Sequence, residues 1–289
     1  MFALLRFGCD KGRCIRFFFA NFSKIILKIY TIGKFFKISL TNQKQACDLA
    51  GKNFQIVNKA VSYSLPYFSK MISNDAFIGT IRARLSGTLP GREAQFKMGF
   101  ARRLEELRLN PATPSDAKVA CVLNLLHRQE GEWRTLLIQR TTNPRDRHSG
   151  QVSFPGGRYE ESDGELVNVA LREAHEEVGV SPLEVEVLGR LTELYIPVSN
   201  FVVHPFVGVL LGPSEFVPQP GEVEAILTPP LSVFSQPENR KMTDLSIGQG
   251  IVLKDVPYFD VEGRTVWGAT AMIMSEFLEV VNRSSSPFF

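Results

Sequence analysis

Three glutamates lie close together in the second half of the chain, at Glu173, Glu176 and Glu177. In a helix, residues three and four positions apart are neighbours, so the three carboxylates would share one face. Carboxylates this close repel one another unless a cation lies among them, and hard oxygen ligands suit Mg²⁺ or Mn²⁺. Gly156 and Gly157 come shortly before, and glycines let the backbone approach a ligand closely. The pattern predicts a metal-assisted phosphate site; the acids alone would equally fit a solvated helix face.

A longer pattern around the glutamates favours the metal site. Residues 172–180, with the letters REAHEEVGV, resemble the second half of the Nudix box, which reads Arg-Glu-apolar-any-Glu-Glu-any-Gly-apolar. The first half of that box carries a glutamate eight positions before the arginine. Gly164 occupies that position here, with Asp163 and Glu165 on either side. Either residue could supply the missing carboxylate.

A narrower resemblance covers the chain from about residue 75 to residue 281. Residues 136–142 (LLIQRTT) and 148–157 (HSGQVSFPGG) are similar to the upstream signature of the coenzyme A diphosphatases, a family within the Nudix superfamily. Residues 266–271 (VWGATA) resemble its C-terminal segment. That family commonly has an arginine four positions before the glycine at position 150. Asp146 stands there in this chain, between Arg145 and Arg147.

The resemblance implies metal-dependent hydrolysis of coenzyme A to 4′-phosphopantetheine and 3′,5′-ADP. Glu173, Glu176 and Glu177 would hold Mg²⁺ or Mn²⁺, and the ion would lower the pKa of a bound water. Arg172 would orient a glutamate rather than contact the substrate. The general base would be one of these glutamates or an acid on a loop.

Six residues are candidates for contact with the substrate: Arg140, Arg145, Arg147, His148, Gly156 and Gly157. The guanidinium groups match phosphate oxygens bidentately, although each could also be an ordinary surface arginine. His148 could contact phosphate or act as a base, or it could hydrogen-bond neighbours in its loop.

Two other functions stay open at this level. The chain could be a Nudix enzyme for another nucleoside diphosphate, such as ADP-ribose or a dinucleotide. It could also be a Nudix-like module that binds a nucleotide without catalysis, although all three glutamates are present. A small-molecule substrate fits either enzyme, and a homodimer is possible.

The elements that must position these residues form a mixed pattern. The strongest helix is predicted over residues 165–178, with Gly179 as its stop signal. Its predicted buried face consists of apolar residues at helical spacing: Val167, Leu171, Ala174 and Val178. Helices are also predicted over residues 75–85, part of 92–109, and 269–281. Strands are predicted over residues 117–127, 134–140, 185–196, 201–211, 222–227, 251–260 and 264–267.

Strands with helices at intervals predict an α/β sandwich of two or three layers. The resemblance implies the Nudix-type α/β/α sandwich, with a mixed sheet and a loop-helix-loop catalytic box. We expect a helical lead-in and linker over residues 71–116 and the hydrolase domain over residues 117–283.

Composition divides the chain near Met71. Residues 1–70 contain 12 Lys and Arg against 2 Asp and Glu, whereas the rest contains 21 against 28. The acidic body argues against a nucleic-acid partner. No apolar run reaches about 18 residues, so no transmembrane span is predicted. Four cysteines are too few and too scattered for a disulfide scaffold.

The basic, Phe-rich residues 1–70 have three interpretations. They could be poorly ordered sequence that is not part of the natural protein, with translation starting at Met71, or an organelle-targeting segment. They could also contact an anionic membrane or a partner. The first interpretation places the protein in the cytoplasm, and the second in mitochondria or another organelle.

Overall fold

A computed structural model describes residues 4–10, 13–19, 25–31, 34–40, 75–109, 112–142, 148–212, 215–247 and 251–282. The chain divides into two units, Met1–Ile72 and Ser73–Phe289. This boundary lies close to Met71, where the charge of the sequence changes sign. In the parts that the structure describes, no helix is long and apolar enough to cross a membrane.

The first unit contains a four-stranded antiparallel sheet in the order β1-β2-β3-β4. Its strands are β1 (Leu4–Asp10), β2 (Arg13–Phe19), β3 (Ile25–Thr31) and β4 (Lys34–Leu40). The sequence shows no clean alternation here, and these strands were not predicted. That residues 1–70 are poorly ordered or foreign to the natural protein stays a prediction.

Three helices open the second unit: α1 (Ala76–Leu85), α2 (Gly91–Phe96) and α3 (Ala101–Leu109). Asp75 caps α1, because its Oδ1 accepts a 2.9 Å hydrogen bond from the backbone N–H of Phe77. The apolar residues at helical spacing in α1 are buried. The predicted helices of this lead-in are therefore confirmed.

A buried glutamate joins the lead-in to the C-terminal helix α6 (Gly268–Asn282). Glu276 is 0% exposed. Its carboxylate accepts hydrogen bonds from Gly91 N at 3.1 Å, Gln95 Nε2 at 2.8 Å and Thr192 Oγ1 at 2.6 Å. The lead-in helix α2 is therefore packed into the body of this unit.

The central sheet is mixed. Its strands are β5 (Lys118–Gln129), β6 (Glu132–Thr135), β9 (Gly156–Arg158), β10 (Val185–Arg190), β11 (Leu194–Ile196) and β12 (Phe201–Leu210). The order is β10-β12-β5-β6, with β11 beside β12 and β9 beside β5. Strands β12 and β5 are parallel, and the other pairs are antiparallel.

Two smaller sheets complete the unit. One has the order β13-β7-β8, and the other β14-β15-β16. Their strands are β7 (Leu137–Arg140), β8 (Val152–Ser153), β13 (Val223–Leu227), β14 (Arg240–Ser246), β15 (Val252–Val261) and β16 (Arg264–Trp267). The short helix α5 (Leu231–Ser235) follows β13.

Helix α4 (Leu166–Val178) packs on the central sheet and ends at Gly179, whose φ of 74° is left-handed. The start, the end and the stop signal agree with the prediction within one residue. The predicted buried face is partly wrong. The buried apolar residues are Val169, Ala170, Ala174 and Val178, whereas Val167 and Leu171 are half-buried at the edge of the core.

The mixed sheet with helices packed against it confirms the α/β sandwich. Two predicted strands are wrong in detail. Residues 134–140 form two strands, because the chain leaves β5 at Leu136 and β7 pairs with β13 instead. Residues 185–196 also form two strands, β10 and β11, and neither β14 nor α5 was predicted.

Candidate active site

Helix α4 places its three glutamates at different depths. The side chain of Glu177 is 2% exposed, that of Glu173 15% and that of Glu176 54%. The sequence predicts that the three glutamates share one face of the helix, opposite its predicted buried face. The structure corrects this, because Glu177 lies among the buried residues of α4 and only Glu176 is largely in solvent.

Arg172 binds the acids of this region together. Its Nε donates to Asp163 Oδ1 at 2.7 Å and its Nη2 to Asp163 Oδ2 at 3.2 Å, which is a bidentate pair. Its Nη1 donates to Glu173 Oε1 at 2.9 Å and to Glu176 Oε2 at 3.2 Å. Arg172 is thus hydrogen-bonded to three acids of this region, Asp163, Glu173 and Glu176.

Of the two acids beside Gly164, Asp163 is the one that contacts Arg172. The hydrogen bonds from Arg172 hold the pKa of Asp163 below its usual range, against the effect of burial. Asp163 Oδ2 also accepts from the backbone N–H of Glu160 at 2.8 Å. Glu165 is exposed at the N-cap of α4, and its side chain makes no capping hydrogen bond.

The paired glycines of β9 let two of the glutamates approach the sheet. The backbone N–H of Gly156 donates to Glu177 Oε2 at 2.9 Å. A Cβ atom on Gly157 would lie 2.2 Å from Glu173 Oε1, and one on Gly156 would lie 2.3 Å from the carbonyl oxygen of Cys121. A side chain at either position would displace these neighbours, so both glycines position the carboxylates.

Burial raises the pKa of Glu177 to about 7, and the nearby Glu173 and Glu222 carboxylates add to the rise. The Gly156 hydrogen bond and Arg140 act in the opposite direction. Burial also raises the pKa of Glu173, although Arg172 opposes this effect. The buried carboxylates are thus short of positive charge, which is the electrostatic condition that a bound cation would relieve.

Apart from the two glycines, the predicted substrate-binding residues have three different placements. Arg140 lies on β7, with Nη1 3.7 Å from Glu177 Oε1, so it borders the carboxylates. His148 Nδ1 lies 3.4 Å from Gln151 Oε1, which is the loop hydrogen bond proposed as the alternative to a functional role. Arg145 and Arg147 lie outside the described residues.

Glu222 is the acid that sequence reasoning missed. Its charge raises the pKa of both Glu173 and Glu177, after the larger effect of burial. Its backbone carbonyl accepts from Thr141 N at 2.9 Å. Glu222 lies in the chain far from the three glutamates, and only its place at the start of a predicted strand could have drawn attention to it.

Residues 215–222 form a segment, here called the strap, that carries Glu222 to the end of α4. Val217 N donates to Val178 O at 3.0 Å, and Gln219 N donates to Glu177 O at 2.9 Å. These bonds satisfy carbonyls that the last turn of a helix leaves without intrahelical partners. The strap therefore fixes the C-terminal end of the glutamate helix.

The donor set fits a hard divalent cation, because Glu173, Glu176, Glu177 and Glu222 offer only carboxylate oxygens. In the described part of the chain, no group of three or more His, Cys, Asp or Glu side chains is arranged so that it could hold a metal ion. Glu173 and Glu176 are hydrogen-bonded to Arg172, and Glu177 to Gly156. Binding a metal would require these carboxylates to turn from their present partners.

Comparisons with known proteins identify the family of this chain. The NUDIX domain family model matches residues 117–245. "Mitochondrial coenzyme A diphosphatase NUDT8" from Homo sapiens is 34% identical over 176 residues, which are 61% of this chain and 72% of that protein. "Nudix hydrolase 15, mitochondrial" from Arabidopsis thaliana is 32% identical over 185 residues, which are 62% of this chain and 63% of that protein. The match thus spans less than two thirds of the plant relative.

Among solved structures, a MutT/nudix family protein from Enterococcus faecalis aligns with 66% of this chain and 73% of its own. The alignment has 15% sequence identity and a TM-score of 0.39.

Proposed function

We propose that this chain, which belongs to the Nudix family, hydrolyses the diphosphate bond of coenzyme A or its derivatives. The products would be 4′-phosphopantetheine and 3′,5′-ADP. The observation that carries the proposal is the cluster of three glutamates on α4. Glu173 and Glu176 accept from Arg172, and Glu177 accepts from the backbone N–H of Gly156. The carboxylate of Glu177 is buried and lies near other acids. A bound cation would compensate this concentration of negative charge.

The residues that would hold Mg²⁺ or Mn²⁺ are Glu173, Glu176 and Glu177, with Glu222 as a further acid beside them. The bound ion would neutralise the charge of the diphosphate and lower the pKa of a bound water. Arg172, fixed by Asp163, keeps the carboxylates of Glu173 and Glu176 in place. Arg172 thus keeps both carboxylates close to the site, and they would turn from Arg172 towards the ion when it binds.

Hydrolysis needs an acceptor for one proton of the attacking water. We assign that role to the carboxylate of Glu222, which the strap holds near Glu173 and Glu177. The water oxygen then bonds to one phosphorus, and the bridging P–O bond breaks. The bridging oxygen leaves with the other phosphate. Arg140, at the border of the carboxylates, is positioned to contact a phosphate oxygen.

Two observations support coenzyme A over other nucleoside diphosphates. The first is the upstream segment of residues 136–157, which resembles the coenzyme A diphosphatases. The second is the similarity to a human protein whose name gives that activity. The acidic Nudix site by itself would serve ADP-ribose or a dinucleotide equally well.

A substrate panel tests the proposal. The full chain is incubated with coenzyme A, an acyl-coenzyme A, ADP-ribose and a dinucleotide at equal concentration, with Mg²⁺ or with Mn²⁺, and the products are identified by mass. We expect 4′-phosphopantetheine and 3′,5′-ADP to form fastest. If ADP-ribose or the dinucleotide is cleaved faster, that compound is the preferred substrate and the proposal for coenzyme A is wrong. Binding of a nucleotide without turnover under all metal conditions would point to the non-catalytic module.

We further propose that residues 1–70 direct the protein to an organelle, in place of the cytoplasmic location that the sequence first suggested. Support comes from their basic composition and from two relatives whose names describe them as mitochondrial. A fluorescent protein fused to residues 1–70 should enter mitochondria or another organelle, and one fused to residues 71–289 should stay outside. Cytoplasmic fluorescence from both fusions would refute the proposal.

A further inference from the structure

Strand β14 forms the outer edge of the β14-β15-β16 sheet. Within the described residues it pairs only with β15, so one side of its backbone has no neighbouring strand. An edge strand of this kind is a template for pairing with another chain. The seven residues of β14 are exposed or half-buried throughout. The strand is therefore accessible along its whole length.

Exposed apolar side chains concentrate on the hairpin that β14 forms with β15. The large apolar residues with high exposure there are Met242 at 64%, Ile247 at 42%, Ile251 at 38% and Val252 at 49%. Met242 lies in the middle of β14, whereas Ile247, Ile251 and Val252 lie together at the far end of the hairpin. The remaining exposed large apolar residues of the described chain are dispersed over other elements.

Charged side chains usually protect an edge strand from pairing, but two of the three charged residues of β14 are paired within the chain. Lys241 Nζ donates to Asp260 Oδ2 at 2.6 Å, and Lys254 Nζ donates to Asp244 Oδ2. The register shift between β14 and β15 leaves β14 regular, because the extra residue lies on β15. Arg240 donates to the backbone carbonyl of Lys97 at 2.7 Å and has no acidic partner among the described residues. The edge thus has one charge available for a partner and no bulge of its own.

We propose that β14 pairs antiparallel with β14 of a second copy of this chain, about a two-fold axis at Met242. The two three-stranded sheets then join into one six-stranded sheet. Arg240 of each copy lies opposite Asp244 of the other, and Met242 contacts Met242. This isologous pairing closes the assembly at a dimer.

Charge selects this register among the alternatives. Residues directly opposite each other in an antiparallel pair have their side chains on the same face of the sheet. The two-fold axis between identical strands must therefore lie between the two copies of one residue. An axis at Lys241 would bring two lysines together, and one at Asp244 two aspartates. An axis at Thr243 would place Met242 opposite Asp244 and leave Arg240 opposite a serine. Only the axis at Met242 gives two Arg–Asp pairs within β14.

The contact is small, because each copy contributes only the seven residues of β14. A standard interface contains more residues from each partner. We expect a dissociation constant of about 1–100 μM, as for a weak complex. The dimer would therefore form and dissociate over accessible concentrations, which makes it measurable by sedimentation.

Sedimentation velocity of the full chain tests the proposal, at concentrations from about 1 to about 200 μM, which span the expected dissociation constant. Wild-type protein should change from monomer to dimer. Met242→Lys places two like charges at the axis and should raise the dissociation constant more than about tenfold. Leu183→Lys changes a side chain that is 78% exposed elsewhere, and it should dimerise like wild type.

A charge exchange provides the specific control. Arg240→Asp and Asp244→Arg should each weaken the dimer, because each variant creates like-charge pairs at both ends of the contact. The double variant restores opposite charges between the copies and should dimerise again. Arg240→Asp also loses the contact with Lys97 O, and Asp244→Arg loses the contacts with Lys254 and with the backbone N–H of Asp255. The double variant loses all three. Restored dimerisation would therefore come from the contact between copies.

Three results would overturn the proposal. The first is a wild-type chain that stays monomeric at the highest concentration, and the second is a dimer that Met242→Lys leaves intact. The third is a double variant no better than either single variant while all four proteins show the same thermal unfolding.

Discussion

Two glutamates are buried in the second unit, and their surroundings differ. Glu276 on α6 is 0% exposed and accepts hydrogen bonds from Gly91, Gln95 and Thr192. Glu177 on α4 has a side chain that is 2% exposed, one backbone donor at Gly156, and an arginine nitrogen 3.7 Å away. Other acids surround Glu177, and burial raises its pKa to about 7.

The difference separates a structural carboxylate from one suited to bind a cation. A buried charge is tolerated where the protein itself supplies the donors, as it does for Glu276. Glu177 receives fewer donors and faces other acids, so its charge is less well compensated than that of Glu276. Equal burial therefore gives no information about function, whereas the number of donors around each carboxylate does.

The largest effect should come from Glu177→Gln, which removes a proposed metal ligand. We expect turnover in Mg²⁺ or Mn²⁺ to fall by about 10²–10³-fold, similar to the loss of one charge-stabilising group in other active sites. The measurement is steady-state hydrolysis of the best substrate from the panel. Unchanged turnover would contradict the metal assignment.

Glu276→Gln should affect stability instead. The substitution replaces one acceptor oxygen of residue 276 by an NH2 group. This group cannot accept hydrogen bonds from Gln95 and Thr192, so buried hydrogen bonds are lost. We expect the free energy of unfolding to fall by about 2–4 kcal/mol, while turnover of the folded protein changes less than about twofold. Urea unfolding and activity below the transition measure the two quantities. A hundredfold loss of turnover at intact stability would remove the distinction between the glutamates.

The pH dependence of stability should also separate them. The pKa of Glu177 is raised in the folded chain from 4.5 to about 7, so the unfolded chain loses this proton first. The metal-free folded state is therefore favoured below pH 4.5 and loses stability as the pH rises to about 7. The loss is about 3 kcal/mol, at about 1.4 kcal/mol per unit.

Urea unfolding of the metal-free chain at pH 5 and pH 8 measures this loss. Glu177→Gln should show a smaller decrease than wild type, and Glu276→Gln should keep the wild-type decrease. Equal decreases in wild type and Glu177→Gln would show that Glu177 does not titrate in this range.

The smallest effect concerns the two acids next to Gly164. Asp163→Asn removes the bidentate partner of Arg172, and we expect turnover to fall about tenfold because the glutamates lose their orientation. Glu165→Gln, at the exposed N-cap, is the matched control and should change turnover by less than about twofold. Steady-state kinetics of the two variants compares them. A larger loss for Glu165→Gln would reverse the assignment of the first acid.

Much of the site could be predicted because its signals are local. The spacing of Arg172, Glu173, Glu176 and Glu177 fixes their helical neighbours, and Gly179 ends the helix where the sequence places it. The Nudix family membership that this stretch predicted is confirmed. A helix has a fixed period, so such relations depend only on positions a few residues apart.

The failures concern residues that meet across the fold. The choice between Asp163 and Glu165 depends on which one reaches Arg172, nine residues from Asp163. Residues 134–140 formed one predicted strand, because no local signal shows that the chain changes partner from β5 to β13. Glu222 was missed for the same reason, since the strap reaches α4 only in the folded chain.

The sequence by itself determined the residue types, the helix that carries them and the chemistry that three adjacent carboxylates favour. Only the tertiary structure decided how deep each carboxylate lies and which donors reach it. Burial and the number of donors depend on contacts between distant segments, and these contacts set the electrostatic free energy of each charge. That is why Glu177 and Glu276, both glutamates on helices, have such different surroundings in one protein.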